Sequence, residues 1–222
     1  MGIDILILTI YTICVVYVLY QMALSVEDKL EDQYEVVLDG ESLQEAVAAQ
    51  LQNQNIYQAT AEVIADRSGS LLQLTFFDQE QPVGKVILQI APQGKRPLQP
   101  PINDLNVSLI NGLPNQQVFI NWDNSSLSVH GSLAQRVIRL VPGMPIDLYQ
   151  PQVMTVANPG QGVNARVTSE SLFNRPEDKT ALASAPSLVD FGNIAGMKEP
   201  MRIYSLQVLV WVRSMLVPNA PA

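Results

Sequence analysis

The stretch VFINWDNSSLSVHG, Val118 to Gly131, gathers an indole, a carboxylate, amides, three hydroxyls and the only histidine of the chain. Ser125, Ser126, Ser128 and Ser132 all lie near His130. The first chemistry to consider is therefore a serine nucleophile activated by an imidazole base. Side chains adjacent along a strand point to opposite faces, and no third group is placed to orient the imidazole. His130 reads instead as a solvent-facing or turn residue. Asp123, Asp147 and Glu170 supply carboxylates for acid/base work, but nothing in their spacing selects a pair.

Other chemistries find less support. One histidine and one cysteine, Cys14, fall short of the roughly four N/S/O ligands that an ordinary zinc site needs. The chain holds no G-x-S-x-G elbow, Walker A loop, G-x-G-x-x-G or H-E-x-x-H. The acidic run Glu27–Asp32 lacks the Asp/Asn-Gly pattern of a calcium-binding EF-hand loop and reads as a solvated face. No cluster of Lys and Arg offers a phosphate-binding face, so nucleic acid is not an expected partner. Asn106-Val-Ser and Asn124-Ser-Ser are glycosylation sequons only in a eukaryotic secretory setting, for which nothing argues. The expectation is a protein that is not an enzyme and has no cofactor.

The elements around the opening stretch explain it structurally. Val118, Ile120 and Trp122 alternate, which sets them on one face of a strand and points the indole into a core. Asp123, Asn124 and Ser125 are then expected to turn the chain, since their short side chains hydrogen-bond nearby backbone amides. SLSV begins the return strand, Gly131 ends it, and RVIRL forms a third strand. The same two-residue period recurs at Leu72, Leu74 and Phe76; at Val86, Leu88 and Ile90; and at Leu105, Val107 and Leu109. Val137 and Val141 flank Arg139 in RVIRLV. Tyr204, Leu206, Val208, Val210 and Val212 form the longest stripe, which predicts a central strand covered on both faces. Turn signals at Ser68-Gly69, Gln81-Pro82, Asn111-Gly112, Asn124-Ser125 and Pro142-Gly143 separate the runs. Many short strands at this spacing predict a mainly β chain, an antiparallel β-sandwich of immunoglobulin-like or related type. The sandwich is expected over residues 60–217, with irregular loops at 91–104 and 174–200 and a tail at 218–222.

The segment INWDNSSLSVHGSLAQRVIRLVPG is similar to a pattern in uncharacterised bacterial proteins, mainly cyanobacterial. In them an I-x-W-D-x-S-S-L motif precedes a glycine-containing loop and then R-V-I-R. The resemblance covers roughly residues 118–143. It implies a β-sandwich hung on an N-terminal anchor or lipid, with no enzyme activity and no site residues; Trp122, Asp123, Ser125, Ser126, Arg136 and Arg139 are read as a structural motif. By analogy it also implies a thylakoid or bacterial plasma membrane and a role beside a photosynthetic complex.

Ahead of the sandwich, residues 1–24 hold the run ILILTIYTICVVYVLYQMAL, Ile5 to Leu24. Twenty such residues at about 1.5 Å each span a bilayer core. The start, Met-Gly-Ile-Asp, has no basic residue, unlike a cleaved signal peptide. A single-pass transmembrane helix is expected. Lys29 weakly favours a cytoplasmic soluble domain. Cys14 falls within the apolar run, which leaves the soluble part without a disulfide.

Residues 25–59 are expected to be an acidic, largely helical juxtamembrane segment, with Ser42 and Glu45 as a capping box before an amphipathic helix. From Ser25 to Asp66 ten acids face one base, a net of −9, while the whole chain carries −8. The acidity thus belongs to one stretch. It reads first as a solvated spacer and second as a dock for a basic partner, with Glu27, Asp28, Glu31 and Asp32 as the candidate partner-binding residues. The expected partners are the lipid bilayer and other proteins of a membrane complex. The expected function is a membrane-anchored interaction module, an accessory, assembly or scaffold subunit. The alternative is a membrane-tethered binder of a lipid, sugar or pigment, with a pocket lined by residues such as Phe119, Trp122 or Trp211.

Overall fold

The structure is a computed structural model, and it describes residues 13–22, 36–53, 58–66, 69–93, 98, 101–144, 146–174, 183–184, 187–189, 191–194, 196–198 and 201–215. The chain divides into two compact units, residues 1–36 with 94–99 and residues 37–93 with 100–222.

In the first unit, residues 13–22 form a helix, α1. Every side chain on it is exposed, including Ile13, Val16, Tyr17, Val18, Leu19 and Tyr20. Among the described residues no helix is long and apolar enough to cross a membrane. The rest of the expected span, residues 5–12 and 23–24, lies outside the described residues, as do Glu27, Asp28, Glu31 and Asp32.

The second unit begins with helix α2, Gly40–Asn53. Its cap is one turn earlier than the S-x-x-E pattern predicts. The Asp39 carboxylate accepts from the Ser42 backbone N–H at 3.1 Å, so Asp39 is the N-cap and Ser42 lies inside the first turn. The Ser42 hydrogen bonds, side chain first and then backbone, hold the Asp39 carboxyl below its ordinary value.

The remainder is mainly antiparallel β. The principal strands are β1 (Ala59–Asp66), β2 (Gly69–Asp78), β3 (Gln81–Pro92), β4 (Leu105–Asn111), β5 (Gln116–Val129), β6 (Gln135–Leu140), β7 (Thr155–Ala157) and β8 (Gly162–Ser169). A 3-10 turn (Glu170–Leu172), the short β9 (Phe173–Asn174) and β10 (Ala183–Ser184), helix α3 (Phe191–Ile194) and β11 (Tyr204–Ser214) follow. Nine strands form one sheet in the order β1-β2-β3-β4-β8-β6-β5-β11, with β7 also paired to β5. Buried side chains from β3 to β8 make one cluster, and Leu74 and Phe76 of β2 and Leu206, Val208 and Val210 of β11 pack against it. Strands from both ends of the path thus cover the same core, consistent with a β-sandwich.

Two expectations need correction. First, Asp123–Ser125 do not turn the chain: β5 runs unbroken from Gln116 to Val129. The turn comes at His130 and Gly131, both at positive φ, 54° and 68°. Second, β11 is not central. Among the described residues it ends the path and pairs with β5 alone. Its outer face is open, and Trp211 is 46% exposed. An apolar stripe reports the face that meets a core; it carries no information on whether a neighbour lies along the strand's second edge.

Close backbone approach fixes the junction of β3 with the β4–β5 connection. A Cβ on Gly84 would lie 2.6 Å from the Gly112 carbonyl oxygen, so no side chain fits there. Beside it, buried Asn111 donates to the carbonyls of Gln116 (2.8 Å) and Ala157 (2.9 Å) and accepts from Leu113 N–H (3.0 Å). An amide that the sequence marks only as part of a turn ties the β4–β5 connection to the end of β7.

Candidate functional site

The residues of the W-D-x-S-S…R-V-I-R segment converge where one strand changes partners. β6 begins against β5, with Ser126 opposite Arg136 and Leu127 opposite Gln135. From Val137 onward it pairs with β8 instead. β7 takes the vacated place, with Val118–Ile120 opposite Thr155–Ala157. β5 must bend at this crossing, and the bend is a bulge. On the β11 side, Asn121 is opposite Leu209 and Ser126 is opposite Gln207. Four residues of β5, Trp122 to Ser125, therefore face the single residue Val208.

Such a bulge leaves backbone groups without ladder partners, and side chains supply them. The buried Ser125 hydroxyl donates to the Asn121 carbonyl at 2.5 Å and accepts from Leu209 N–H at 3.1 Å. Asn124 N–H donates to the Asn121 side-chain oxygen at 3.2 Å. The short polar residues that predict a turn are here because they satisfy a bulge, which makes the same local demand for side-chain acceptors.

Trp122 is fully buried, as its phase with Val118 and Ile120 predicts. Its indole N–H donates to the Thr155 hydroxyl at 2.9 Å, which also accepts from Arg139 at 3.1 Å. Asp123 faces the gap left by β6. One of its carboxylate oxygens accepts from Gln152 backbone N–H at 2.8 Å and the other from the Gln152 side chain at 3.1 Å. Gln152 also donates to the Val137 carbonyl (2.7 Å) and accepts from Arg139 N–H (2.7 Å). Arg136 reaches Glu170 at 3.0 Å and Asp123 at 3.5 Å, and donates to the Leu148 carbonyl.

This network pins the β6–β7 connection, residues 141–154, at Leu148 and Gln152. The pinned loop displays Met144, Tyr149 and Val153, which are 65%, 82% and 73% exposed. Asp147 turns the chain within it, accepting from Tyr149 N–H at 2.9 Å. The expected structural residues are thus brought together: Trp122, Asp123, Arg136 and Arg139 around the gap, Ser125 in the bulge, and Ser126 in register with Arg136. Gln152 and Thr155, which complete the network, carry no sequence signal. They lie in a stretch without periodicity, and only the strand exchange brings them to β5.

Asp123 and Glu170, two of the carboxylates considered for acid/base work, flank the same guanidinium. Arg136 bridges the two, an arrangement suited to holding chain segments. Neither ring nitrogen of His130 has a hydrogen-bond partner among the described residues. The nearby hydroxyls serve the turn: Ser128 donates to the Ser132 carbonyl at 2.6 Å, and the Ser132 hydroxyl accepts from Val129 N–H at 3.3 Å. Among the described residues no group of three or more His, Cys, Asp or Glu is placed to hold a metal ion.

Phe119, Trp122 and Trp211 do not line one pocket. Trp122 points into the core, whereas Phe119 is one residue out of phase with Val118 and Ile120. Phe119 lies opposite Trp211 on the outer face. A cleft of about 410 Å³ lies at the β2–β3 turn, lined by Gln58, Phe77, Gln79 and Glu80. It is remote in sequence from the motif. The chain matches no protein-family model, no curated protein and no solved structure.

Proposed function

We propose that the protein is a membrane-anchored, non-enzymatic interaction module, an accessory, assembly or scaffold subunit of a membrane protein complex. Residues 5–24 serve as its single-pass anchor, and an antiparallel β-sandwich is its soluble part. The observation that carries this reading is the pinned loop 141–154. Arg136, Asp123 and Gln152 use their hydrogen bonds to fix a connection on which Met144, Tyr149 and Val153 face solvent. A scaffold that fixes exposed Met144, Tyr149 and Val153 keeps low the ordering entropy that association costs, and aromatic and Met residues are enriched at such interfaces. Exposure of apolar side chains all round α1 supports the anchor, since such a surface belongs in lipid or against another helix. The resemblance to cyanobacterial sequences adds a thylakoid or plasma membrane and a photosynthetic complex as the setting, with the soluble domain on the cytoplasmic side.

The test is extraction in mild detergent followed by mass spectrometry of co-purifying proteins. The wild-type chain should bring defined partners with it. A Tyr149→Ala/Val153→Ser variant with an unchanged melting temperature should lose them. A wild-type chain that purifies alone would end this reading.

A further inference from the structure

The edge of β11 is not used by the reading above. Hydrogen bonds at both ends of this strand show which backbone groups face β5. His130 N–H donates to the Ile203 carbonyl at 2.9 Å, and Met215 N–H to the Asn115 carbonyl at 2.9 Å. In the middle, Leu209 N–H donates to the Ser125 hydroxyl. Odd-numbered residues therefore point their backbone toward β5, and the intervening Leu206, Val208, Val210 and Val212 point theirs the other way. Among the described residues no strand lies beyond β11.

Natural sheets guard such an edge with Lys, Pro, inward-pointing charge or short length. β11 has eleven residues, and from Ile203 to Val212 it carries no charge and no proline. An edge of this kind is a template for another strand.

We infer that the edge of β11 turned away from β5, from Leu206 to Val212, pairs antiparallel with β11 of a second copy, about a two-fold axis through Leu209. The sequence is self-complementary in this register. Leu206 lies opposite Val212, Val208 opposite Val210, and Tyr204 opposite Ser214. The one charge of the strand, Arg213, lies opposite Ser205, so no like charges meet. Ile203 and Met215, 59% and 43% exposed, face each other at both ends of the joint. The register is also the right one for hydrogen bonding. It sets Leu206, Val208, Val210 and Val212 against one another as hydrogen-bonded pairs, worth about eight backbone bonds, within the usual number for an interface. Leu209 meets its own copy at a non-hydrogen-bonded position. A two-fold joint closes on itself, whereas β11 pairing with β1 of the next copy would extend into an open filament.

Cysteine cross-linking of the full chain in mild detergent tests the register. Residues opposite each other at a non-hydrogen-bonded site lie about 4.5 Å apart at Cα, within disulfide range. With Cys14→Ser as background, Leu209→Cys should give a disulfide-linked dimer on mild oxidation. Gln207→Cys should not, because two copies of residue 207 would be displaced by four positions, roughly 13 Å. Val212→Pro removes only an edge-facing N–H, and Val212→Lys adds charge at the edge. Added to Leu209→Cys, each should abolish the cross-link, and the lysine variant serves if the proline variant does not fold. A Leu209→Cys chain that stays unlinked, a Gln207→Cys chain that links as readily, or a Leu209→Cys link that survives Val212→Lys in a folded protein would each overturn the inference.

Discussion

Trp122 and Arg136 show how much rests on single side chains. Trp122 fills the core and its N–H has one acceptor, Thr155. Trp122→Ala should cost about 3–5 kcal/mol, as for buried aromatics elsewhere. Chemical denaturation followed by the fluorescence of the exposed Trp211 would measure it. An unchanged midpoint would remove Trp122 from the core. Arg136 presents three faces of its guanidinium to Glu170, Asp123 and the Leu148 carbonyl. A lysine is a point charge and cannot meet all three. The Arg136 side chain is 24% exposed, so the ionic part is screened, and Arg136→Lys should cost about 1–3 kcal/mol. Its distinguishing effect is local. Limited proteolysis should cut within residues 141–154 far sooner than in the wild type, while far-ultraviolet circular dichroism stays the same.

At the scale of elements, the polar residues of β5 teach the most. Asp123, Asn124 and Ser125 announce that backbone groups need side-chain partners, and this was legible. Whether the need arises in a turn or in a bulge was not, because that depends on β11, some eighty residues later. Period-two stripes placed β2 to β6 and β11 correctly for the same reason that they were incomplete. They register contact with a core and not strand order, so β11 looked central. The candidate network was half legible: the motif residues stood out, but Gln152 and Thr155 reach it only through the exchange of β6 for β7. Ser125→Ala strands the part-buried Leu209 N–H and should cost about 1 kcal/mol. Amide exchange at Leu209 should quicken more than at its neighbours. The β2–β3 hairpin gives the opposite expectation. Gln79 and Glu80 both have positive φ, 45° and 69°, as a two-residue turn requires, yet neither is the Asn or Gly that adopts it readily. Glu80→Gly should stabilise by about 1 kcal/mol, raising the melting temperature by roughly 2–4 °C. At α2 the sign follows from the cap. The folded Asp39 carboxyl is held below its ordinary 3.8, so its stabilisation is present above that pH and is lost as pH falls through the lowered value. The stability gap between wild type and Asp39→Ala should therefore be full at neutral pH and close in acid below 3.8.

At the scale of the whole molecule, charge and hydropathy are segregated along the chain. Apolar residues fill 5–24, a net −9 lies between Ser25 and Asp66, and the remainder is nearly neutral. If the apolar run is an anchor, alkaline carbonate should leave the protein in the membrane pellet, and release into the supernatant would refute it. The acidic stretch would then begin at the headgroups. Anionic lipid repels it by about as much as it would attract basic residues, near 1 kcal/mol per charge. Such a segment would then not lie along the bilayer: it would stand off in water or dock on a basic surface. Reversing Glu27, Asp28, Glu31 and Asp32 to Lys separates the two. Docking requires that the reversal release a co-purifying partner without disturbing folding or insertion. It also requires that the wild-type association weaken as salt rises, because exposed charges are screened beyond about 8 Å at physiological ionic strength. Partners that survive both the reversal and high salt would make the segment a spacer, and the contact surface would then be the loop that Arg136, Asp123 and Gln152 hold in place.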